Sequence, residues 1–405
     1  VATLWRMGRA ARGRMRPVLI VGGGPVGLTT ALCLAAAAIP VVLFEAEAAI
    51  PGDLRASTFH PPTLDMLDAF GLGTELVTRG LVTPRWQVRL HETGERAEFD
   101  LGALATETRH PYRLQCEQQK LQHLLRLRLA DFPHAEVRFG SRVDAVGEER
   151  GHVWAAVGTE RIAGDWLIGA DGARSIVRQS CGIGFGGETY PETTLLVTTG
   201  FDFGEALSGL SGVNYVWSAA GTFSLLRLPE VWRCSFYPEP GQSVDEAMAD
   251  DAIERQLQHV APRAARYEVL HRRAYRIHQR VADSYRCGRM LLAGDAAHLN
   301  SPSGGMGMNG GIHDAFNLAE KLRRVLAGAD DGLLDLYARQ RRPVAIQHII
   351  AQADRNRRRM RETDAERRRA LLRELQQTAS DPRLAREYLL NSSMISGLRQ
   401  AAAIT

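Results

Sequence analysis

The chain has 405 residues, more than one ordinary domain holds, so two intertwined domains sharing a large core are expected. With 45% hydrophobic and 24% charged residues the composition is that of a soluble globular protein, and a net charge of +4 gives no case for nucleic-acid binding. The five cysteines (Cys33, Cys116, Cys181, Cys234, Cys287) form no CxxC pair, and no histidine spacing suits zinc, which excludes a disulfide framework or metal finger and points to reduced thiols in the cytoplasm.

Residues 1–16 carry five arginines (Arg6, Arg9, Arg12, Arg14, Arg16) and no acid. No apolar stretch follows them as a secretory signal requires, so they read as a basic, disordered extension ahead of a domain that begins near Met15. Val18–Val21 is a β-branched run, residues 25–38 form an Ala/Leu helix, and Val41–Phe44 is a second strand ending at Glu45, which together make a βαβ opening. The longest apolar run, 28–43, is broken by Pro40 and is too short to span a bilayer, so no stable membrane insertion is expected. Residues 65–72 look helical, 86–101 alternate as a strand of a separate sheet, and 114–129 carry leucines on one helical face. Several short alternating runs between 137 and 168 read as a β-meander.

From about 190 to 280 aromatic residues concentrate among strand-like stretches, which suggests a mostly β domain inserted into the first. Tyr215 and Trp217 have strand spacing on one face and serve either as a pocket wall or as core packing. Residues 290–293 return as a strand, followed by a Pro/Gly-rich loop and a helix beginning near Gly310. Beyond Leu333 the chain is helical and Arg-rich (Arg355, Arg357, Arg358, Arg359, Arg361, Arg367, Arg368, Arg369), a pattern that reads as a solvated helix face.

Gly22-x-Gly24-x-x-Gly27 follows a strand and, through Pro25 and Val26, opens a helix. The first glycine permits the tight turn, the second lets a pyrophosphate approach, and the third lets helix and strand pack closely. Glu45 stands 18 residues after Gly27, where an acid can accept hydrogen bonds from ribose hydroxyls. The pattern implies a dinucleotide without separating FAD from NAD. Two further motifs follow in order: Asp171-Gly172 after a short strand, and Gly294-Asp295 before the loop Pro302-Ser-Gly304-Gly305-Met-Gly307-Met308-Asn309.

In this order the three motifs resemble the fingerprints of FAD-dependent aromatic hydroxylases of the p-hydroxybenzoate hydroxylase type (class A flavoprotein monooxygenases), over roughly residues 17–350. The resemblance implies an α/β fold: a Rossmann-like, glutathione-reductase-type FAD domain (17–80, 110–188, 282–345), an inserted mostly β substrate domain (81–109, 189–281) and a C-terminal helical segment (346–405). It implies that Asp171 lies between the cofactor phosphates and the pyridine-nucleotide route, and that Asp295 binds the ribityl chain. Pro302 would lie at the reacting edge of the flavin. Gly304, Gly305 and Gly307 would let the backbone approach the ring, with the Met308 and Asn309 N–H groups at the N1–C2=O edge. The helix dipole there favours an anionic reduced flavin by up to ~2 kcal/mol. Arg55 matches the family's cofactor-contacting arginine and Gln118 its flavin-side glutamine, with Gln115 as the competing alignment.

The implied reaction is hydroxylation of a small phenolic or aromatic substrate with O2 and NADH or NADPH, through a flavin C4a-hydroperoxide, by a single-component cytoplasmic enzyme that is a monomer or homodimer. No catalytic side chain is required, and none is assigned. His298 reads as structural and His313 as helix surface. Arg227 and Arg233 are candidates for a substrate carboxylate. Glu320 replaces a tryptophan common in relatives, and Ser301 a second proline. A flavin dehydrogenase on the same scaffold and a non-catalytic GDI-like binding protein are the alternatives. A halogenase is excluded, because its Trp-x-Trp-x-Ile element is missing.

Overall fold

The computed structural model describes residues 15–52, 56–239 and 241–405, so Arg55 and residues 1–14 lie outside the described residues. Within the basic segment, Met15 packs on the core and the Arg16 backbone N–H donates to Asp165 Oδ2 at 3.0 Å.

The first sheet has six strands in the order Arg286–Cys287, Met290–Leu292, Trp166–Gly169, Val18–Val21, Val41–Phe44, Ala135–Arg138. All neighbours are parallel except the edge strand Arg286–Cys287. The central strands are unbroken apolar runs with every residue buried, as a parallel sheet covered on both faces demands. Helices Pro25–Ala36 and Gly307–Leu326 pack together against it, and the antiparallel meander Ala145–Glu149, His152–Val157, Glu160–Gly164 packs against Val18–Val21 and Trp166–Gly169. Register is what positions the site. Val21 pairs with both Phe44 and Gly169, and Gly169 pairs with Leu292. The loops beginning at Gly22, Glu45, Ala170 and Ala293 therefore leave one sheet edge side by side, the carboxyl edge where open α/β sheets bind ligands.

The second sheet has eight strands: His298–Leu299, His271–Ala282, Phe185–Thr199, Trp232–Phe236, Gly221–Arg227, Val213–Ser218, Arg85–Leu90, Arg96–Asp100. One face packs on helix Asp250–Val260 through Leu195, Val197, Cys234, Ile253 and Leu257. Near Trp86 and Phe99 the sheet meets the C-terminal helices Ala365–Ser380 and Pro382–Ser392 through Leu372, Leu375 and Leu389.

The long helix differs from expectation in two ways. It begins at Gly307, one turn earlier than Gly310. His313, expected on its surface, is 2% exposed, because helix Pro61–Leu67 lies across it and the His313 ring meets Thr63 Oγ1 at 2.9 Å. Small residues permit this crowding: a Cβ on Gly311 would stand 2.5 Å from Val26 Cγ2.

Helix Gly332–Val344 contains Pro343, which has no N–H to donate, and it continues through a π-helical turn, Ala345–Ile350, into helix Ala351–Met360. The Arg-rich run that follows is only partly a solvated face. Arg355, Arg358, Arg361, Arg367 and Arg369 are exposed. Arg357 instead pairs with Glu192 at 2.6 Å and lies over the Tyr190 ring, and buried Arg368 donates to Ser218 O at 2.7 Å. These contacts hold the C-terminal helices on the second sheet.

Candidate active site

The first loop shows why its glycines are needed. Gly22 has φ +106°, and a Cβ there would stand 2.3 Å from Ala170 O. A Cβ on Gly27 would stand 1.9 Å from Gly22 O, so this glycine lets the helix pack on the turn. Gly24 differs: a Cβ there meets no atom within 4 Å, so its bare backbone faces open space at the helix N-terminus. Pro25 occupies the first helical turn, where its missing N–H costs nothing, and Val26 packs against Gly294. Glu45 accepts the Gly23 N–H at 2.6 Å and the Glu47 N–H at 2.8 Å, which holds its carboxylate over the loop.

Asp171 Oδ2 accepts the N–H groups of Ile176 and Val177 at 2.7 and 3.3 Å, fixing the turn to the next helix. Its Oδ1 is buried without a hydrogen-bond partner, and burial pushes the carboxyl upward in pKa against the pull of Ser175 and these amides. Asp295 is exposed, in the turn Gly294–Ala296 that follows strand Met290–Leu292. Gln118 opens helix Gln118–Leu129 and donates to Gln122 Oε1, while Gln122 donates to Gly23 O. Gln115 is buried in a strand and accepts from Thr58 Oγ1 at 2.9 Å. The two glutamines thus support different loops.

Between the two sheets lies the loop Pro302 to Gly307. Gly304 and Gly305 have φ +98° and +68°, and a Cβ on Gly305 would crowd Thr58 at 2.9 Å. Asn309 clamps the loop: its Oδ1 accepts the His60 N–H at 2.9 Å, and its Nδ2 donates to Thr58 O and Gly305 O at 2.8 and 2.7 Å. His60 Nε2–H donates to Gly304 O at 2.8 Å. Burial, and secondarily Arg113, pulls the His60 ring down to about 3, so it stays neutral and the donor role is secure. Gly307, Met308 and Asn309 form the first helical turn, whose N–H groups precede any helical acceptor. Met308 is half-buried against the core. Ser301 is buried and its Oγ accepts the Ser303 N–H. Glu320 lies away from the loop, beside Arg324 at 3.5 Å.

Pro302, Ser303, Gly304 and Gly305 form one wall of a cavity whose opposite wall is the second sheet. Tyr215, Ser224 and Ser235 stand in register across three strands, and the two small serines open the space bordered by Tyr215, Arg233 and Tyr275. Tyr215 is therefore a cavity residue. Trp217 is not: it is 0% exposed, packed in the core near the C-terminal helices, and its Nε1–H donates to Arg359 O at 3.0 Å. Of the two arginine candidates, Arg233 lines the cavity, whereas Arg227 pairs with Asp202 at 3.2 Å beside a separate surface groove. Arg113 was not anticipated. It shares a strand face with Gln115, two positions on, and alternation along Arg113–Gln115 was the available signal. Met360, from the C-terminal helices, completes the cavity.

His298 is buried and bonds Asp314 Oδ2 at 2.8 Å, a structural role. Among the described residues one acid–histidine group, Asp65, Asp68 and His110, is tight enough for an ion. Arg109 and His110 already pair with Asp68 at 3.2 and 2.7 Å, which accounts for the cluster without a metal.

An open parallel sheet with a glycine turn, an acid at the end of its second strand and a Gly-Asp turn at its carboxyl edge defines a dinucleotide-binding flavoprotein fold. An FAD binding domain family model matches residues 15–378. The chain is 35% identical over 397 residues to para-nitrophenol 4-monooxygenase of Pseudomonas sp. (strain WBC-3), covering 94% of this chain and 96% of that one. It is 35% identical over 345 residues to 6-hydroxy-3-succinoylpyridine 3-monooxygenase HspB of Pseudomonas putida (strain DSM 28022 / S16), covering 84% and 87%. The crystal structure of p-nitrophenol 4-monooxygenase PnpA from Pseudomonas putida DLL-E4 superposes with a TM-score of 0.87 at 32% identity, covering 95% of this chain and 98% of that one. The chain belongs to the FAD-dependent aromatic monooxygenases.

The residues fit that cofactor. The open side of Gly24 suits the close approach of a pyrophosphate, and the exposed Asp295 carboxylate suits the hydroxyls of a polyol chain along the same sheet edge. Among the described residues no helix is long and apolar enough to cross a membrane.

Proposed function

We propose that this chain hydroxylates a small phenolic substrate, using O2 and NADH or NADPH. The observation that supports the reading most is the cavity between the Pro302–Gly305 backbone and the Tyr215 face of the second sheet. A flavin held along the first sheet edge supplies electron acceptance from the pyridine nucleotide and delivery of one oxygen atom from O2. The chain supplies position and dryness. Glu45 and Asp295 stand where ribose and ribityl hydroxyls would be held, and the amides of Met308 and Asn309 where a flavin carbonyl edge would be met. The left-handed glycines keep side chains out of the space between loop and substrate. Leu226 and Met360 give the ring an apolar bed, and Tyr215 and Tyr275 offer hydroxyls to its oxygen substituents. Para-nitrophenol as a relative's substrate is consistent with a single-ring ligand.

The test is a panel of substituted phenols given to FAD-loaded protein. At least one member should accelerate NAD(P)H oxidation and appear as product carrying an atom of 18O from labelled O2. Acceleration without 18O incorporation by any member would reassign the chain as a flavin oxidase or dehydrogenase.

A further inference from the structure

We propose that Cys181 and Cys287 form an oxidation site: a thiol pair that hydrogen peroxide closes to a reversible intramolecular disulfide at the amino edge of the first sheet.

No CxxC motif joins these residues in sequence; the fold brings them together. Cys181 ends helix Ile176–Ser180, where its N–H donates to Val177 O at 3.1 Å, and Gly182, with φ +63°, turns the chain away. The Cys181 thiol donates to the Met290 thioether at 3.9 Å. Met290 is the register partner of Cys287 in the antiparallel hairpin of Arg286–Cys287 and Met290–Leu292. Residues directly opposite in an antiparallel ladder project from the same face, so Cys287 stands on the side of the hairpin that Met290 turns to Cys181. The two thiols are in hydrogen-bond contact. The turn of the hairpin is held in its own right, because Glu148 of the meander accepts the Arg289 N–H at 2.9 Å. Both sulfurs thus sit on anchored backbone, which matters because disulfide geometry tolerates little displacement.

Exposure separates this pair from the other cysteines. Cys33, Cys116 and Cys234 are buried in the apolar cores, whereas Cys181 and Cys287 are each partly exposed. Burial, and next the neighbouring Cys287, pushes the Cys181 thiol up to about 12, so it stays protonated and is the weaker nucleophile. The first step therefore falls to Cys287. Its sulfur attacks one peroxide oxygen, the O–O bond breaks, and a sulfenic acid and one water form. The Cys181 sulfur then attacks the sulfenic sulfur, the S–O bond breaks, and a second water leaves with the Cys181 proton. Two thiols give up two electrons and two protons, and one peroxide becomes two waters. Flavin enzymes yield this oxidant when reduced cofactor meets O2 without a substrate to take the oxygen. Met290 begins the strand whose far end leads into Gly294-Asp295, so the pair lies at the opposite sheet edge from the cofactor loops.

The test exposes FAD-loaded protein to an excess of hydrogen peroxide, denatures it with N-ethylmaleimide, and digests it without reductant for mass spectrometry. The Cys181 and Cys287 peptides should appear joined, two hydrogens lighter than their sum, and dithiothreitol should separate them. Cys33, Cys116 and Cys234 should carry the maleimide. In Cys181→Ser the same exposure should drive Cys287 on to sulfinic acid, which dithiothreitol does not reverse. Should that variant fail to fold, Cys287→Ser should leave Cys181 losing its thiol at least about tenfold more slowly than the wild-type pair. Both thiols still free after peroxide, a bridge to another cysteine or to a second chain, or oxidation of Met290 in place of the pair would overturn the proposal.

Discussion

The backbone N–H of Gly294 donates to the carboxylate of Asp314, 20 residues along the chain, at 3.1 Å. The same buried carboxylate receives Arg341 at 2.6 Å and His298 at 2.8 Å, and Arg341 also donates to Gly310 O. Gly294 has φ +61° and immediately precedes Asp295. One carboxylate thus joins the turn that presents Asp295 to the long helix whose first amides face the glycine loop.

Asp314→Asn keeps the shape of that side chain but leaves the Arg341 cation buried without its counter-charge. The loss should be about 3–5 kcal/mol, the cost of breaking a buried pair from one side. Urea unfolding of the apoprotein reads the stability, and FAD fluorescence titration should show retention falling in parallel.

Gly24 and Gly27 separate ligand space from packing space. Gly24→Ala has φ −69° and no neighbour to meet, so the apoprotein's melting temperature should stay within a few degrees while FAD affinity drops at least about tenfold. Gly27→Ala puts a methyl 1.9 Å from Gly22 O, and its apoprotein should be destabilised by roughly 1–3 kcal/mol or more. Equal behaviour of the two variants would contradict the division.

Asp295→Ala removes the carboxylate of the Gly294–Ala296 turn. Its FAD dissociation constant should rise by roughly 10- to 100-fold, the value of hydrogen bonds to a charged acceptor. Fluorescence titration against wild type checks this, and unchanged affinity would remove Asp295 from the cofactor site.

His313 is buried with its pKa pulled down to about 3 by burial and, secondarily, by Arg341. The unfolded ring titrates near 6.5, so below that pH the unfolded state binds a proton that the folded state does not. Stability is therefore fully present above about pH 6.5 and declines as pH falls toward 3, with a slope approaching about 1.4 kcal/mol per pH unit. His60 has the same sign and window. Denaturant midpoints between pH 7 and pH 5 should fall more steeply for wild type than for His313→Gln.

The flavin half was legible because its constraints are local. Gly22, Gly27 and Glu45 act within one βαβ unit, and each follows from a turn, a close approach or a strand end. The cavity was not, because its residues come from separate strands and become neighbours only through register. Tyr215 and Trp217 have identical strand spacing, and the distinction between cavity wall and core lies in the helix that covers Trp217 and offers it the Arg359 carbonyl. Arg113 was missed for the same reason: its environment is built by Trp86 and Tyr215, from two other strands. His313 was misplaced because helical periodicity identifies one apolar face, while this helix is crossed by neighbours on more than one side.

Helix Ala351–Met360 brings Met360 to the cavity and Asn356 Nδ2 to Ser303 O at 3.4 Å, whereas the glycine turn and the Gly-Asp turn both precede it in the chain. Synthesis runs from the amino end and domains fold as units. A nascent chain halted before residue 351 already carries the sheet edge for the cofactor but has no wall on one side of the substrate. Maturation on the ribosome thus has a direction: the capacity to hold the redox group arises first, and the shelter in which it can be used safely follows.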